Sequence, residues 1–249
     1  QMKQHMLPET AQMFAQCVHC VVARKDSYGP DIHRWLAENI EKTESGFSPW
    51  IRSEKEFKFI DGLIATVPYT LKEEKEMVAL GELLSTQIFE AFLQEEGVSS
   101  ALLPALDFMV IDEDNEPLLS VIEQKLATVL APVKDKNIFV TQGFICRNPA
   151  GEVDNLKRGG SDYTASLIGG AIQAEEVQIW TDIDGMHNND PRVVDKTYPI
   201  TELSFDEAAE LAYFGAKILH PTCVLPAQKR NVPVRLLNTM QPEAKGTLI

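Results

Sequence analysis

The strongest constraint on the fold is the way short apolar runs alternate with segments of helical periodicity from residue 98 onward. The predicted strands are residues 101–103, 138–141, 177–180 and 232–237. Helices are predicted to begin at Ser161 and at Glu207, the second behind a capping box formed by Ser204 and Glu207. Strands and helices that alternate at this spacing favour βαβ units, so the sequence predicts an α/β fold with a mainly parallel sheet.

The first hundred residues have a different character, because their apolar residues recur mainly at helical spacing. We predict helices at residues 10–22, 28–40 and 71–94, and Gly97 is well placed to end the third. Cys17 and Cys20 have the Cys-x-x-Cys spacing that zinc and redox sites share. No second Cys or His pair stands at finger spacing, so we interpret them as one face of a helix.

Charge and composition exclude several classes of protein. The chain has 249 residues, with 23 Lys and Arg against 37 Asp and Glu, giving a net charge of −14. This balance argues against a nucleic-acid-binding protein, which carries a clustered basic surface. No apolar run approaches the roughly 20 residues that span a bilayer. No signal peptide is visible and the four cysteines are scattered, so we expect a cytoplasmic protein.

A glycine pair preceded by arginine gives the strongest local signal for a binding site. Gly159 and Gly160 let the backbone approach a ligand closely, and we expect Ser161 to cap the following helix with Asp162 in its first turn. Free amides at the positive helix end favour an anion, and Arg158 adds a fork suited to carboxylate or phosphate. The P-loop, dinucleotide and protein-kinase motifs are absent from the sequence, so a phosphate site would use a different glycine loop. The alternative is a flexible loop with a good N-cap.

Acidic residues follow the strand predicted at 177–180. Parallel sheets bind ligands at the carboxyl ends of their strands, and Asp182, Asp184 and later Arg192 stand beyond this one. Carboxylates there can hold Mg²⁺ indirectly or accept from ribose hydroxyls, and arginine can reach a phosphate. Asp-Gly and Asp-Pro are also ordinary turn sequences, so turn chemistry alone stays open as the alternative.

Three further charged residues are candidates for a site. Glu82 shares a predicted helix face with Ser85 among apolar residues, and a buried carboxylate needs a partner such as a substrate ammonium. An exposed glutamate would need none. Lys217 stands near a predicted helix end, where a cation is favoured in any case. His220 precedes proline, which suits a packed histidine as well as a catalytic one. The acidic run at residues 112–116 is interpreted as a solvated turn.

The order of several long motifs resembles that of the aspartokinases. The motifs are residues 141–144, 158–164, 180–185, 189–192, 209–217, 219–221 and 246–249. The resemblance runs from about residue 77 to the end of the sequence and implies the amino acid kinase fold, a three-layer α/β/α sandwich. It implies transfer of the γ-phosphoryl group of ATP, with Mg²⁺, to the β-carboxylate of L-aspartate. That reaction gives 4-phospho-L-aspartate and opens lysine, threonine and methionine biosynthesis.

The resemblance also implies roles for the substrate-site residues. Glu82 would hold the aspartate ammonium, and Phe144 would line the substrate pocket. Arg158 would clamp a substrate carboxylate. Gly160 and Ser161 would face the reacting groups through backbone and hydroxyl donors, and Asp162 would organise the site and orient the catalytic lysine.

A second set of residues is implied to bind the nucleotide. Thr181, Asp182 and Arg192 would bind ATP, and Lys217 would lie near its phosphates. His187 stands beside the nucleotide at a position that is often tyrosine. The resemblance further implies small-molecule substrates and a homo-oligomer, a dimer, without nucleic acid or membrane.

Two parts of the family pattern are not found in the sequence. The family opens on a strand ending Lys-Phe-Gly-Gly-Thr-Ser, whose lysine stabilises the transferring phosphoryl group, and its members continue into ACT regulatory domains. We interpret residues 1–249 as a catalytic domain without these parts, with a substrate-binding part at about 1–135 and a nucleotide-binding part at about 136–249.

A variant that truly lacks the lysine would be a non-catalytic regulatory or binding subunit. A kinase for glutamate or N-acetylglutamate is the rival within the fold, and Glu82 discriminates, because an acylated amine needs no carboxylate.

Overall fold

The computed structural model describes residues 70–157, 159–189, 193–194, 196–214 and 221–249. The helices predicted at 10–22 and 28–40, and the pair Cys17 and Cys20, lie outside the described residues. The chain divides into two compact units. Of the described residues, the first comprises those up to 103, 135–141 and 152–154, and the second comprises 104–134, 142–151 and those from 155 onward.

The described part of the first unit is built on one long helix and a parallel strand pair. Helix α1 is Leu71–Glu95, and it begins at a capping box in which Thr70 and Glu73 bond each other's backbone N–H. Strand β1, Ser100–Leu103, pairs in parallel with strand β2, Ile138–Thr141. The buried face of α1 packs on both strands. The helix predicted at 71–94 and the strands predicted at 101–103 and 138–141 are therefore confirmed.

Two ion pairs join α1 to residues 152–154 of the same unit. Lys75 Nζ lies 2.5 Å from Asp154 Oδ2, with the two side chains 20% and 3% exposed. Lys72 Nζ lies 3.0 Å from Glu152 Oε1, with side chains that are 53% and 41% exposed. One pair is thus largely removed from water and the other is not, although they connect the same parts of the chain.

The second unit contains most of the remaining elements. They are helices α2 (Ala105–Phe108) and α3 (Leu119–Leu130), the 3₁₀ helix Ala131–Val133, strand β3 (Ile145–Arg147), helix α4 (Gly160–Ile172), strand β5 (Val177–Thr181), helix α5 (Phe205–Phe214), the 3₁₀ helix Pro221–Val224, helix α6 (Leu225–Lys229) and strands β6 (Val234–Asn238) and β7 (Thr247–Leu248). Strand β4, Val153–Asn155, includes residues of both units.

The core of the second unit lies against the sheet β5–β6–β7. Strand β5 is parallel to β6, with Val177 opposite Val234, and β7 runs antiparallel to β6. Buried apolar residues of the strands, α5 and α6 form one cluster, and α4 packs on β5 and α6. A Cβ on Gly169 would lie 2.2 Å from Val177 Cγ2, which explains the glycine where α4 crosses β5.

Several local predictions in the second unit are confirmed, and some need correction. The capping box of Ser204 and Glu207 is present, but α5 begins at Phe205 because the box spans its first turn. Residues 112–116 form a turn in which the Asp112 carboxylate accepts from the Asp114 and Glu116 amides. Of the helices described, none is both long and apolar enough to cross a membrane.

Candidate functional site

The start of α4 is a turn that only glycine adopts without strain. Gly159 has φ 72° and ψ 15°, and the helix begins at the next residue, Gly160. The prediction that Ser161 caps this helix is wrong, because Ser161 already lies inside the first turn and no side chain caps it. Asp162 does fall in the first turn, as predicted. Because Gly159 starts the helix, the Ser161 side chain is not used as a cap, and Ser161 is exposed.

A second loop packs closely against this turn. A Cβ on Gly143 would lie 2.9 Å from Ser161 Oγ and 3.1 Å from Ser161 Cα, and a Cβ on Gly160 would lie 2.7 Å from Phe144 Cδ2. The Phe144 amide donates to Thr164 Oγ1 at 3.1 Å, and Phe144 O accepts from the Leu156 amide at 2.8 Å. The structure therefore brings together four predicted site residues: Phe144, Gly160, Ser161 and Asp162.

Gly143→Ala should disturb this contact. The new methyl group meets backbone and Cβ atoms of Ser161 that cannot move independently, so we expect a loss of about 1–2 kcal/mol in the free energy of unfolding. Urea denaturation measures this loss. In a Ser161→Gly background, where the obstructing Cβ and Oγ are gone, the same Gly143→Ala change should cost much less. Equal costs in both backgrounds would contradict this contact.

Asp162 is half-buried at the positive end of α4. Burial raises the pKa of its carboxyl group above the ordinary value. No described residue forms a hydrogen bond or ion pair with this carboxylate, which sets it apart from a capping residue. A carboxylate held partly out of water, with no partner among the described residues, is a candidate for interaction with a bound ligand.

Glu82, in the first unit, is also a half-buried carboxylate with a raised pKa. It lies half-buried on α1, and burial raises the pKa of its carboxyl group. Within the described part of the chain its carboxylate has no hydrogen-bonding partner. Ser85 is exposed, and its hydroxyl donates to the backbone carbonyl of Glu82 rather than to the carboxylate.

The loop after β5 is held by side-chain hydrogen bonds. Thr181 Oγ1 lies 3.1 Å from Asp182 Oδ1. His187 is only 7% exposed, and its ring is held on both sides, with Nε2 2.6 Å from Asp184 Oδ1 and Nδ1 2.9 Å from Thr197 Oγ1. Asp184 therefore anchors the His187 ring, a role that the sequence did not indicate. Thr181 and Asp182 stay at the strand end, as predicted.

Three predicted site residues, Arg158, Arg192 and Lys217, lie outside the described residues, as does His220. Among the residues described, no cluster of three or more His, Cys, Asp and Glu side chains has the geometry to hold a metal ion. The sequence analysis missed Cys223, which is fully buried and contacts the glycine turn. Its only signal was its place two residues beyond Pro221.

Comparison with known proteins gives consistent matches. The model of the amino acid kinase family matches residues 27–238. The chain is 40% identical over 177 residues to lysine-sensitive aspartokinase 3 of Escherichia coli (strain K12), covering 70% of this chain and 39% of that protein. It is 36% identical over 198 residues to aspartokinase 1, chloroplastic, of Arabidopsis thaliana, covering 77% of this chain and 35% of that protein. The chain thus spans well under half the length of these curated relatives.

A solved structure agrees with the sequence matches. The crystal structure of E. coli aspartokinase III in complex with aspartate and ADP superposes with a TM-score of 0.75 and 30% identity, covering 94% of this chain and 55% of that one. These matches confirm the resemblance to aspartokinases and the predicted α/β fold with its mainly parallel sheet. The family model covers most of the sequence, and the chain belongs to the amino acid kinase family.

Proposed function

We propose that this protein is an ATP-dependent aspartate kinase that transfers the γ-phosphoryl group of ATP to the β-carboxylate of L-aspartate, giving 4-phospho-L-aspartate. The observation that carries the proposal is the half-buried Glu82 carboxylate, which has no partner among the described residues. The similar E. coli enzyme was crystallised with aspartate and ADP, which supports the same substrates here.

Glu82 favours an acceptor with a free amine. A carboxylate withdrawn from water is stabilised when a cation binds beside it, because the attraction between the charges offsets the cost of lost hydration. The ammonium of aspartate would supply that charge. The neutral amide of N-acetylglutamate would not, so the same carboxylate would oppose its binding.

The start of α4 is proposed as the phosphoryl-transfer site. The first turn of α4 lies at the positive end of a helix, which suits developing negative charge. Gly160 and Ser161 would face the reacting groups there through backbone and hydroxyl donors, with the Gly160 amide also donating to the Lys157 carbonyl at 3.2 Å. Arg158 would clamp a substrate carboxylate, and Phe144 would line the pocket next to Gly160. The β-carboxylate is already ionised at pH 7, so the reaction needs alignment and charge neutralisation rather than a strong base. Asp162 would organise these groups and orient the catalytic lysine of the family.

The nucleotide is proposed to bind within residues 136–249, with the amino-acid substrate held mainly by residues 1–135. Thr181, Asp182 and His187 would lie beside the nucleotide, with Arg192 and Lys217 near its phosphates. Mg²⁺ would arrive bound to ATP, since phosphate and water oxygens are its usual ligands, and it would neutralise charge on the transferring group.

The setting of the reaction is also a proposal. We place it as the first step of lysine, threonine and methionine biosynthesis, in the cytoplasm, where ATP and free aspartate are both available. We propose that the protein acts as a homodimer, which light scattering of the purified protein would test.

A coupled ADP-release assay with three acceptors tests the proposed activity. We expect turnover with L-aspartate to exceed turnover with glutamate and N-acetylglutamate. Preference for one of the other acceptors would identify a different kinase of the same fold. No ADP release with any of them would favour a non-catalytic regulatory or binding subunit.

Glu82→Gln should weaken aspartate binding selectively. Loss of the charge removes one ion pair with the substrate, so KM for aspartate should rise about tenfold or more while KM for ATP changes little. Initial rates at varied aspartate and fixed ATP give the result. Glu95→Gln, at the exposed end of the same helix, is the matched control. An unchanged KM for aspartate would remove Glu82 from the site.

A further inference from the structure

A buried thiol contacts the glycine turn from a distant part of the sequence. Cys223 lies in the 3₁₀ helix Pro221–Val224 and is 0% exposed. Its Sγ donates to the carbonyl oxygen of Gly159 at 3.2 Å. The Tyr163 amide donates to the same oxygen at 2.9 Å, in the first hydrogen bond of α4. The carbonyl that starts the helix is thus held by one donor from inside α4 and one from outside.

We propose that Cys223 is a positioning residue for phosphoryl transfer, whose thiol hydrogen bond to Gly159 helps to fix the turn at the start of α4 and with it the position of the Asp162 carboxylate. This inference rests on the proposed function of that turn. Gly159 has positive φ and no side chain, so little within the residue itself restricts its rotation. The peptide plane between Gly159 and Gly160 is held on its amide side by the Gly160 N–H, which donates to the Lys157 carbonyl at 3.2 Å. On its carbonyl side it is held by the Tyr163 amide and the Cys223 thiol, so loss of the thiol removes one of these three restraints.

The protonation state of Cys223 agrees with a donor role. Burial, together with the charge of Asp162, raises the pKa of the Cys223 thiol to about 12, although hydrogen bonds from Thr222 and the Tyr163 backbone oppose the shift. The group therefore stays a thiol at neutral pH. A thiol can donate to a carbonyl, whereas a thiolate cannot, and a thiol with so high a pKa is a poor nucleophile.

Cys223 is also better placed to act on the turn than to fill the core. The next residue, Val224, belongs to the apolar core cluster of the second unit, whereas Cys223 does not. The two neighbours are both buried on one short element, but one packs in the core and the other bonds to the backbone of the turn. This difference provides a matched pair of substitutions.

Three variants of the purified protein separate positioning from packing. Cys223→Ala removes the donor, Cys223→Ser keeps a hydroxyl donor in a similar volume, and Val224→Ala makes a cavity in the same element without touching the turn. We expect Cys223→Ala to lower kcat with aspartate about three- to tenfold, the range of one net hydrogen bond, with little change in KM for ATP. Cys223→Ser should recover most of the loss. Val224→Ala should lose thermal stability but keep its kcat below its melting temperature.

Hydrogen exchange provides a readout that does not depend on the reaction. The Tyr163 amide, whose acceptor is the Gly159 carbonyl, should exchange faster in Cys223→Ala than in Cys223→Ser, measured by mass spectrometry. If the wild-type protein shows no kinase activity, the proposed function is refuted, but the comparison of exchange rates between the Ala and Ser variants still tests the hydrogen bond. Unchanged exchange and kcat in Cys223→Ala, or equal losses in the Ala and Ser variants, would overturn the positioning role.

Discussion

Asp162→Asn is expected to lower turnover with aspartate about a hundredfold, a loss typical of misaligned reacting groups, while making the folded protein more stable at neutral pH. We expect activity and stability to move in opposite directions because burial makes the Asp162 charge unfavourable for folding, whereas the proposed role in the site needs that charge. Substitution of a group needed only for folding would lower activity and stability together.

The sign of the stability change follows from two opposing effects. A carboxylate in the first turn of a helix gains about 0.3–1 kcal/mol from the helix dipole, which would lower its pKa. The pKa of Asp162 is instead raised, so the cost of burial exceeds the gain from the dipole. The folded state therefore binds this proton more tightly than the unfolded state, and the contribution of Asp162 to stability falls as pH rises through its folded pKa.

Urea denaturation as a function of pH measures this expectation. The stability gained by Asp162→Asn should be present at pH 7 and disappear as the pH falls below about 4, where the carboxyl is protonated in both states. Asp206→Asn is the matched control, because Asp206 lies in the first turn of α5 but is exposed. It should show no such gain. A stability loss in Asp162→Asn as large as its loss of activity would mark Asp162 as structural.

Lys75→Met is expected to cost about 3 kcal/mol of folding free energy, the loss typical when one partner of a buried ion pair is removed. The Asp154 side chain is only 3% exposed, so removal of the lysine 2.5 Å away takes a compensating cation from a charge that water scarcely reaches. Guanidinium chloride denaturation should show the loss as a lower midpoint with an unchanged slope.

The double variant Lys75→Met/Asp154→Asn should recover much of that loss, because the buried carboxylate charge is removed together with the lysine. The four proteins form a double-mutant cycle that isolates the pairwise energy. Lys72→Met, in the exposed pair on the same helix, is the matched control and should change the midpoint far less, because water and salt screen that pair. Similar losses for both lysines would show that burial does not set the strength of the Lys75–Asp154 pair.

The parts of the fold that were predicted correctly depend on residues close together in sequence. The helix at 71–94 was visible in its periodicity and charged first turn, and the capping box of Ser204 and Glu207 spans three residues. Strands at 138–141 and 177–180 appeared as short apolar or β-branched runs. Helix α3 and strands β3 and β7 were missed, the strands because two or three residues carry too little periodicity.

In the candidate site, residue type alone did not indicate the contacts that each side chain makes. Ser161 was assigned a capping role because serine before a helix usually has one, but Gly159 already turns the chain. Asp184 and Asp182 looked equivalent in sequence, and only the structure shows that Asp184 bonds to the His187 ring while Asp182 bonds to Thr181. Side-chain partners of this kind depend on how the loop folds back on itself.

The sequence by itself determined the α/β class, the positions of the main helices and the glycine turn, because these follow from propensity and spacing within a few residues. The tertiary structure decided which groups are withdrawn from water and what holds them. Cys223 meets Gly159 across 64 residues, and Lys75 meets Asp154 across 79. Such contacts arise only when distant segments pack together. The same packing buries Asp162, which raises the pKa of its carboxyl group, and places the Cys223 thiol on the turn before it.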